Sequence, residues 1–398
     1  MLKYKTFLIG LIINFCLLIL CCVLIDPYGF YNILSIKKFN QQKEGVRSVI
    51  RYVKAIEISL RKPQTILVGS SRVHDGINPA MPVLQQYTPV YNYGIDMLRI
   101  NEAKKYLLHA IANTKVKRVI FGLDFFMFNA LEKYNPAFDS TLVGRQINYM
   151  DIIRPSLPSK YVITDIINTV KISYTQPDRF EFRNNGYRPG NAVFYHLKDY
   201  KKLHYYTNRT FLSNTSSTPY YGRYKVDEQT FKCFEEYLDI CRKNKIECIL
   251  FITPAHALLD GEGLHLTGLW GNMEDFKRRI THIATLYNTS LWDFSGYNYV
   301  TTEKLATPMK HYWDSSHFKE PIGNLMISQM LDPQKKDPLY FGTLLSDSNV
   351  EEHLEQIRKD RIVYLQKNKE DVKWLNDLYK LIQDHKPIPK SETENIFF

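Results

Sequence analysis

Two short stretches of this 398-residue chain carry the residue types that nucleophilic catalysis requires. Residues 66–74 read ILVGSSRVH, an apolar run that ends in a small-residue turn with two serines, and residues 311–319 read HYWDSSHFK. A serine hydroxyl becomes a good nucleophile when a histidine accepts its proton, and that histidine needs an acid to fix its tautomer. Asp314 and His317 are close enough to share one turn, so they can pair with each other and with a serine from the first stretch.

Each piece also has an ordinary structural interpretation. A GSS sequence occurs at many turns, and a D-x-x-H pair is more often a helix-capping arrangement than a catalytic pair. The order along the chain is more informative: GSS follows one apolar run, a glycine turn at Gly94 follows the next, a G-x-D triplet at 122–124 follows the third, and D-x-x-H precedes a final helical segment. Because a glycine turn can offer a backbone N–H to a developing oxyanion, we expect Gly94 to contribute one.

Apolar runs typical of strands alternate with amphipathic helical segments. This alternation is typical of an α/β fold with a parallel sheet covered on both faces. Reactive groups in such sheets collect where strands end at the carboxyl edge, and GSS, YNYG, GLDFF and TPAH all follow predicted strands. The predicted strands are 64–71, 89–94, 116–126, 246–254 and 289–294, and the predicted helices are 99–113, 228–244, 273–288 and 317–331.

An uncharged apolar run covers residues 7–25 and is long enough to cross a bilayer as a helix. Lys3 and Lys5 precede it, so the positive-inside rule places the N-terminus in the cytoplasm and the rest of the chain outside. A cleaved signal peptide is the competing interpretation, but the run is longer than a usual signal core and no small-x-small cleavage site follows. We therefore predict an uncleaved single-pass anchor over residues 1–26.

The remaining chain divides by composition into three parts, the second of which contains an insertion. Residues 27–62 form a polar, basic linker helix, and residues 63–335 form the main domain. Within it, residues 127–227 break the alternation and are rich in Tyr, Asn, Arg and Pro, which fits a lid, a substrate platform or a structural excursion without a role. Residues 336–398 form a helical extension that either packs back on the domain or binds a partner.

The net charge of +11 would suit nucleic acid, an anionic membrane surface or an anionic polymer. No helix-turn-helix signature, zinc-finger spacing or ribonucleoprotein-type aromatic strand accompanies it, so we predict no nucleic-acid partner. Of six cysteines, three lie in the apolar run, and the odd number outside it argues against a disulfide scaffold or a metal site. The histidines lack metal-ligand spacing, and we predict neither metal nor cofactor.

The order of the four motifs resembles that of the SGNH, or GDSL-like, hydrolase superfamily. The apolar anchor followed by DPYGFYN is similar to the membrane-anchored branch that handles acyl groups on cell-surface polymers, which includes the alginate O-acetylation proteins and the lipoteichoic acid D-alanylation protein. The resemblance covers roughly residues 20–335. It implies a flavodoxin-like three-layer α/β/α sandwich with a parallel five-stranded sheet.

The resemblance also implies a role for each motif residue. GSS stands where the superfamily has Gly-Asp-Ser, which makes Ser71 the nucleophile and leaves Ser70 at the aspartate position as a candidate for substrate binding. YNYG matches the second block and implies that the N–H groups of Ser71 and Gly94 line the oxyanion hole. DSSH matches the last block, with Asp314 as the orienting acid and His317 as the base.

The third block departs from the family pattern. GLD falls where the superfamily has Gly-x-Asn-Asp, and an ionised Asp124 would repel the charge that an asparagine amide would stabilise. Three alternatives stay open: Asp124 binds a substrate hydroxyl, the alignment slips, or Asn92 or Asn129 supplies the donor. Two further residues have paired interpretations. Arg72 holds an anionic substrate or forms a structural salt bridge, and His256 contacts substrate or makes a structural hydrogen bond.

Together these features predict a membrane-anchored extracytoplasmic serine esterase or acyltransferase. It would act on O-acyl groups, in the first place acetyl, of a cell-surface glycan or anionic polymer through an acyl-serine intermediate. Hydrolysis and transfer both remain open. The alternative, from another functional class, is a non-catalytic assembly factor whose SGNH-like domain binds polymer or a membrane-bound O-acyltransferase.

Overall fold

The computed structural model describes residues 2–131, 142, 144–178, 185–189, 200–213, 220–306, 308–334 and 337–384. A mostly parallel six-stranded sheet runs through it in the order β2-β1-β3-β4-β5-β6. The first five strands in sequence pair in parallel, and β6 pairs antiparallel with β5. The strands are β1 Thr65–Val68, β2 Val90–Asn92, β3 Arg118–Leu123, β4 Glu247–Ile252, β5 Ser290–Asp293 and β6 Thr343–Leu345.

Helices connect the parallel strands and extend beyond them at both ends of the chain. The α-helices are α1 Leu2–Ile25, α2 Gly45–Ser48, α3 Ile50–Arg61, α4 Ser71–Gly76, α5 Ile100–Asn113, α6 Tyr149–Ile153, α7 Lys160–Thr175, α8 Tyr200–Leu212, α9 Glu228–Lys243, α10 Leu264–Leu266, α11 Trp270–Leu286, α12 Glu320–Leu331, α13 Val350–Lys367 and α14 Lys369–Gln383. Short 3-10 segments cover Pro82–Tyr87, Phe125–Phe128, Arg154–Ser156 and Tyr221–Arg223, and a π-helix covers Leu258–Gly263.

The sixth strand differs from the five-strand prediction. β6 is only three residues long and lies in the part of the chain that the sequence assigned to a helical extension. Its pairing with β5 explains why it forms: Leu345 is buried opposite Leu291, whereas Leu344 stays exposed. A run this short carries too little alternation to indicate a strand without knowledge of its partner.

The sheet buries side chains on both faces, which explains the continuous apolar runs. Ile66, Val119 and Leu250 belong to one hydrophobic cluster, together with residues of α3, α5, α9 and α11. Their neighbours Leu67, Ile120 and Phe251 belong to a second cluster, with residues of α4 and α12. Successive strand residues thus point to opposite faces. Each fully buried side chain of this size contributes about 1.5–3 kcal/mol of hydrophobic stabilisation.

The segment predicted as an insertion supplies part of this core. Residues Tyr205, Phe211 and Leu212 of α8 lie in the first cluster, and α8 contacts both α14 and the π-helix. Much of the rest of residues 127–227 lies outside the described residues. The predicted linker helix over 27–62 is shorter than expected, because helical structure there is confined to α2 and α3.

Among the described residues, α1 alone is long and apolar enough to span a membrane. Its Tyr4–Ile25 stretch has a mean hydropathy of 3.1 and is almost entirely exposed. The last turn of α1 carries Cys22, which is buried in a hydrophobic cluster with Tyr28, Val46 and Val162. The length and apolar character predicted from the sequence are confirmed.

Candidate active site

The turn after β1 places Ser71 at the start of a helix. Ser70 caps α4 by accepting a hydrogen bond from the N–H of Arg72 through its side chain, at 3.2 Å. Gly69 precedes it at a point of close approach, since a Cβ there would lie 2.3 Å from Cγ2 of Val73. The glycine and the short cap therefore let the chain reverse within two residues and present Ser71 at the carboxyl edge of the sheet.

Ser71, His317 and Asp314 form a continuous hydrogen-bonded chain. The Ser71 hydroxyl lies 2.8 Å from Nε2 of His317, and Nδ1 of the same ring lies 2.9 Å from both carboxylate oxygens of Asp314. Oδ1 of Asp314 also accepts the N–H groups of Ser316 and His317, each at 2.7 Å. A carboxylate held in this way orients the ring so that Nε2 can accept a proton from Ser71.

Electrostatics favours the charge states that such a chain needs. Burial would lower the pKa of His317, but the charge of Asp314 and its hydrogen bond outweigh burial, so the pKa of His317 is raised above its ordinary value. Burial would raise the pKa of Asp314. The charge of His317 and the hydrogen bonds from His317 and Thr207 outweigh burial and lower the pKa of Asp314 to about 2. Asp314 is therefore ionised at neutral pH, and it stabilises a histidine that has taken up a proton.

Helix α8 supports the loop that carries this pair. The Thr207 hydroxyl donates to Oδ2 of Asp314 at 2.8 Å. His204 Nδ1 and the amide of Asn208 both contact the Ser315 hydroxyl at 2.6 Å. Sequence analysis missed these contacts, although the i, i+3 and i+4 spacing of His204, Thr207 and Asn208 places the three side chains on one face of the helix. Burial lowers the pKa of His204 to about 3, so its ring is neutral.

Two glycines let the nucleophile helix and the base-bearing loop come together. A Cβ on Gly323 of α12 would lie 2.0 Å from the carbonyl oxygen of Gly76, the last residue of α4. A Cβ on Gly76 would lie 2.2 Å from the ring of Phe318, the residue after His317. Only hydrogen fits at either position, so these contacts set the separation of Ser71 and His317.

Arg72 directly follows Ser71 and is buried in an ion-pair network. Its guanidinium contacts Asp124 and Asp260 at 2.9 Å, Ser316 at 3.0 Å and Thr253 at 3.1 Å. These partners come from the ends of β3 and β4, the π-helix and the D-x-x-H loop. Of the two interpretations left open, the structural salt bridge is the one that the contacts support, because the side chain is 1% exposed and has no surface for an anionic substrate.

Asp124 is equally buried and serves the same network. Its Oδ1 accepts hydrogen bonds from Arg72 and from the Thr253 hydroxyl. This arrangement argues against contact with a substrate hydroxyl. The neighbouring guanidinium offsets part of the negative charge of Asp124, but Arg72 also pairs with Asp260, so the two carboxylates share one cation.

The residues predicted to line the oxyanion hole are arranged differently from the prediction. The N–H of Gly94 donates to Oδ1 of Asn92 at 2.9 Å, so it is already occupied. The Asn92 amide donates to the carbonyls of Val73 and Ile77, and that of Asn129 to the carbonyls of Tyr220 and Arg223.

The N–H of Ser71 differs from these groups, because it donates to no acceptor in the part of the chain that the structure describes. It is therefore the donor that a developing oxyanion at Ser71 could use.

His256 and Ser70 are fully buried. Nε2 of His256 lies 2.6 Å from the carbonyl oxygen of Glu303, and Nδ1 accepts the N–H of Leu258 at 3.2 Å. Both ring nitrogens thus have backbone partners, which fits the structural interpretation of His256. Ser70 acts as the α4 cap, so neither residue offers an atom to a substrate in this arrangement.

Arg188 ties the insertion to both sides of the nucleophile. Its guanidinium binds Asp75 of α4, with contacts of 2.6 and 2.8 Å, and Asp96 of the loop after β2, with two contacts of 2.8 Å. Its backbone N–H donates to the carbonyl of His74. This residue was not singled out from the sequence, because nothing local marks an arginine whose partners lie about a hundred positions away.

No protein-family model matches this chain, and no curated protein matches it.

Proposed function

We propose that the protein is a membrane-anchored, SGNH-like serine esterase or O-acyltransferase. The observation that carries the proposal is the Ser71–His317–Asp314 chain, with contacts of 2.8 and 2.9 Å between its members. The strand order 2-1-3-4-5 among the parallel strands, which is that of flavodoxin-like folds, supports the three-layer sandwich that the resemblance implies.

The geometry supports acyl transfer through a serine ester. His317 Nε2 takes the hydroxyl proton as Ser71 Oγ bonds to the acyl carbonyl carbon, and the carbonyl electron pair moves to oxygen. The Ser71 N–H stabilises that oxyanion. When the intermediate collapses, the bond to the leaving alcohol breaks, and His317 returns the proton to the departing oxygen. Ser71 then carries the acyl group.

A second nucleophile releases the acyl group from Ser71. His317 deprotonates either water, which gives hydrolysis, or a sugar hydroxyl, which gives transfer. The attack restores the Ser71 hydroxyl, which regains its proton from His317. The resemblance favours transfer of acetyl to a cell-surface glycan or anionic polymer, and a membrane-bound O-acyltransferase is the partner expected to supply or receive acyl groups.

The proposed location follows from the apolar helix. Lys3 and Lys5 precede it, and the positive-inside rule then places the sheet domain on the extracytoplasmic side of a single-pass anchor. This places the proposed active site in the compartment where a cell-surface polymer is modified.

A fluorophosphonate serine probe tests the proposal on the full chain in detergent, with the adduct located by peptide mass spectrometry. We expect labelling at Ser71 that is lost in His317→Ala and in Ser71→Ala. Ser316→Ala, a change at a neighbouring serine hydroxyl bound to Arg72, is the control and should retain labelling. A folded protein that takes up no probe, or takes it up at Ser70, would contradict the proposed nucleophile.

The second candidate is the non-catalytic assembly factor. Occupation of the Gly94 N–H by Asn92 favours it, because the Ser71 N–H is then the one identified oxyanion donor among the described residues. Cells that express Ser71→Ala or His317→Ala distinguish the two functions. Loss of polymer acylation supports catalysis, and full acylation supports an assembly role.

A further inference from the structure

The exit end of α1 is surrounded by three segments of the domain. The first is residues 33–39, which follow α1 after the intervening residues 26–32. Helix α7 and the short turn at Arg154–Ser156, which continues α6, both contact α1 and are the other two. Cys22, in the last turn of α1, is the one residue of Tyr4–Ile25 that is fully buried, so these segments lie at the level where the helix would leave a bilayer.

Side-chain hydrogen bonds make this junction a fixed joint. The amide of Asn40 donates to the carbonyls of Leu24 and Leu34, each at 3.0 Å, and the Lys43 ammonium donates to the carbonyl of Ile25 at 3.0 Å. These donors satisfy carbonyls at the end of α1 that have no intrahelical partner. The domain therefore follows the anchor directly, without a free linker.

Residues 33–39, helix α6 and helix α7 all expose apolar side chains. Helix α7 is the clearest case. Val162, Thr169 and Ser173 face inward, whereas Ile167 and Tyr174 face outward with 60% and 70% of their surface exposed. A helix on a water-facing surface normally carries polar residues on its outer side. We call the exposed apolar set the exit patch; its members are Ile33, Leu34, Ile36, Phe39, Tyr149, Met150, Ile153, Tyr161, Ile163, Ile167 and Tyr174.

Basic side chains accompany the exit patch. Lys38 is exposed beside the first segment, Arg154 beside α6, and Lys160 and Lys171 on α7. Exposed apolar and tyrosine side chains with flanking lysines are the composition of surfaces that lie in the headgroup layer of a bilayer. Anionic headgroups would add electrostatic attraction to the burial of apolar surface.

We propose that the exit patch rests in the headgroup layer of the same bilayer that α1 crosses. The proposal rests on the membrane anchoring put forward above. The bilayer is the occupant that the structure favours, because the patch lies on segments that contact the end of α1 or adjoin it in the chain, and hydrogen bonds fix that end of α1 to the domain. Lipid thereby covers apolar side chains that otherwise face water.

Introduced tryptophans test the placement in the full chain. Three single variants are reconstituted, one copy per nanodisc, in phosphatidylcholine and phosphatidylglycerol with or without brominated acyl chains, which quench tryptophan on contact. Ile167→Trp reports on the exit patch and Phe15→Trp on α1. Ile362→Trp on α13, where the native side chain is 59% exposed, is the matched control away from the patch. Emission is compared with that of the wild-type chain, which has four tryptophans.

We expect brominated lipid to quench the added emission of Phe15→Trp and Ile167→Trp and to leave that of Ile362→Trp unchanged. Quenching at position 15 without quenching at 167 would overturn the exit-patch proposal and leave the anchor standing. Absence of quenching at position 15 would instead overturn the anchoring itself. Equal quenching at positions 167 and 362 also counts against the exit-patch proposal. If position 167 is protected from brominated lipid only in discs that hold two copies, the patch is covered by a second copy of the chain, and the proposal is again contradicted.

Discussion

The Thr207 hydroxyl donates a hydrogen bond to Oδ2 of Asp314 at 2.8 Å, although the two residues lie 107 positions apart. Thr207 belongs to α8, within the stretch that breaks the strand–helix alternation of the sequence. That stretch therefore contributes to the proposed active site as a support for the acid, and its role is not limited to covering the substrate. The contact also satisfies the oxygen that the backbone N–H groups of the D-x-x-H loop leave free.

Thr207→Val removes this hydrogen bond and keeps the shape of the side chain. A hydrogen bond to a charged group contributes about 1.5–3 kcal/mol, so we expect kcat on an acetyl ester to fall roughly ten- to a hundredfold. KM should change little, since the Thr207 hydroxyl bonds to Asp314 rather than to Ser71 or His317. Thr207→Ser retains the hydroxyl and should recover most of the rate; equal rates for the valine and serine variants would refute the supporting role.

The pH dependence of catalysis should report the raised pKa of His317. The base must be neutral, so activity rises with pH through that pKa, and the acid limb of kcat/KM should lie above the ordinary histidine value of about 6.5. In Asp314→Asn the two largest effects that raise the pKa of His317 are lost, while burial and the smaller effect of Asp75 remain. The acid limb of kcat/KM should then move to lower pH, and kcat should fall by up to about 10⁴-fold. Profiles of 4-nitrophenyl acetate hydrolysis measure both, and an unshifted limb in the variant argues against the assigned pair.

Arg72→Met should strongly destabilise the domain. The change leaves Asp124 and Asp260 buried without their cation, and breaking a buried ion pair costs about 3–5 kcal/mol. Arg72→Lys keeps the charge but loses the planar guanidinium group, so its free energy of unfolding should lie between those of Arg72→Met and the wild type. Urea unfolding gives the free energies. Lys359→Met, which breaks an exposed ion pair with Glu355, is the control and should lower the free energy of unfolding by no more than about 1 kcal/mol. A similar loss of stability in Arg72→Met and Lys359→Met would show that burial of the ion pair is not the cause.

Gly323→Ala should impair the site without contacting substrate. The new methyl group would collide with the Gly76 carbonyl, so α4 must move away from α12 and Ser71 from His317. Gly271→Ala is a matched control, because Gly271 also lies in a helix, has no atom within 4 Å of the added Cβ, and gains up to about 1 kcal/mol of helix propensity. Fluorophosphonate labelling rate and thermal stability should both fall for Gly323→Ala and be maintained for Gly271→Ala.

Much of the framework could be predicted because its signals are local. The strands β1 to β5 lie within the predicted runs, and the helix over 99–113 starts one residue later than expected. A strand that is buried on both faces of a sheet is a continuous apolar run, and this run can be recognised in the sequence without knowledge of the surrounding fold. The strand β6 has no such pattern, since three residues can be placed only by knowing which edge they pair with.

The chemistry of the site was predictable only where chain order indicated it. Ser71, Asp314 and His317 are adjacent to motifs at strand and helix ends, and the structure brings them together. The arrangement of Arg72, Asp124 and Asn92 depended on partners distant in sequence. In the sequence, an arginine after a serine is indistinguishable whether it binds a substrate or pairs with two buried carboxylates, as Arg72 does. Likewise, the sequence does not show that the Asn92 side chain accepts the N–H that Gly94 was expected to offer to an oxyanion.

The fixed joint at the end of α1 has a mechanical consequence for what Ser71 can reach. Helix α3 follows the joint closely, and its Lys54 ammonium donates to the carbonyls of Asn92 and Gly94, at 2.9 and 2.5 Å, beside the nucleophile helix. A domain on a long flexible tether could reach polymer over a wide range of distances from the membrane. With α1 in the bilayer, packed elements would hold Ser71 at one height above the lipid, so the proposed acyl-transfer activity should depend on the length of the carrier that presents the acyl group.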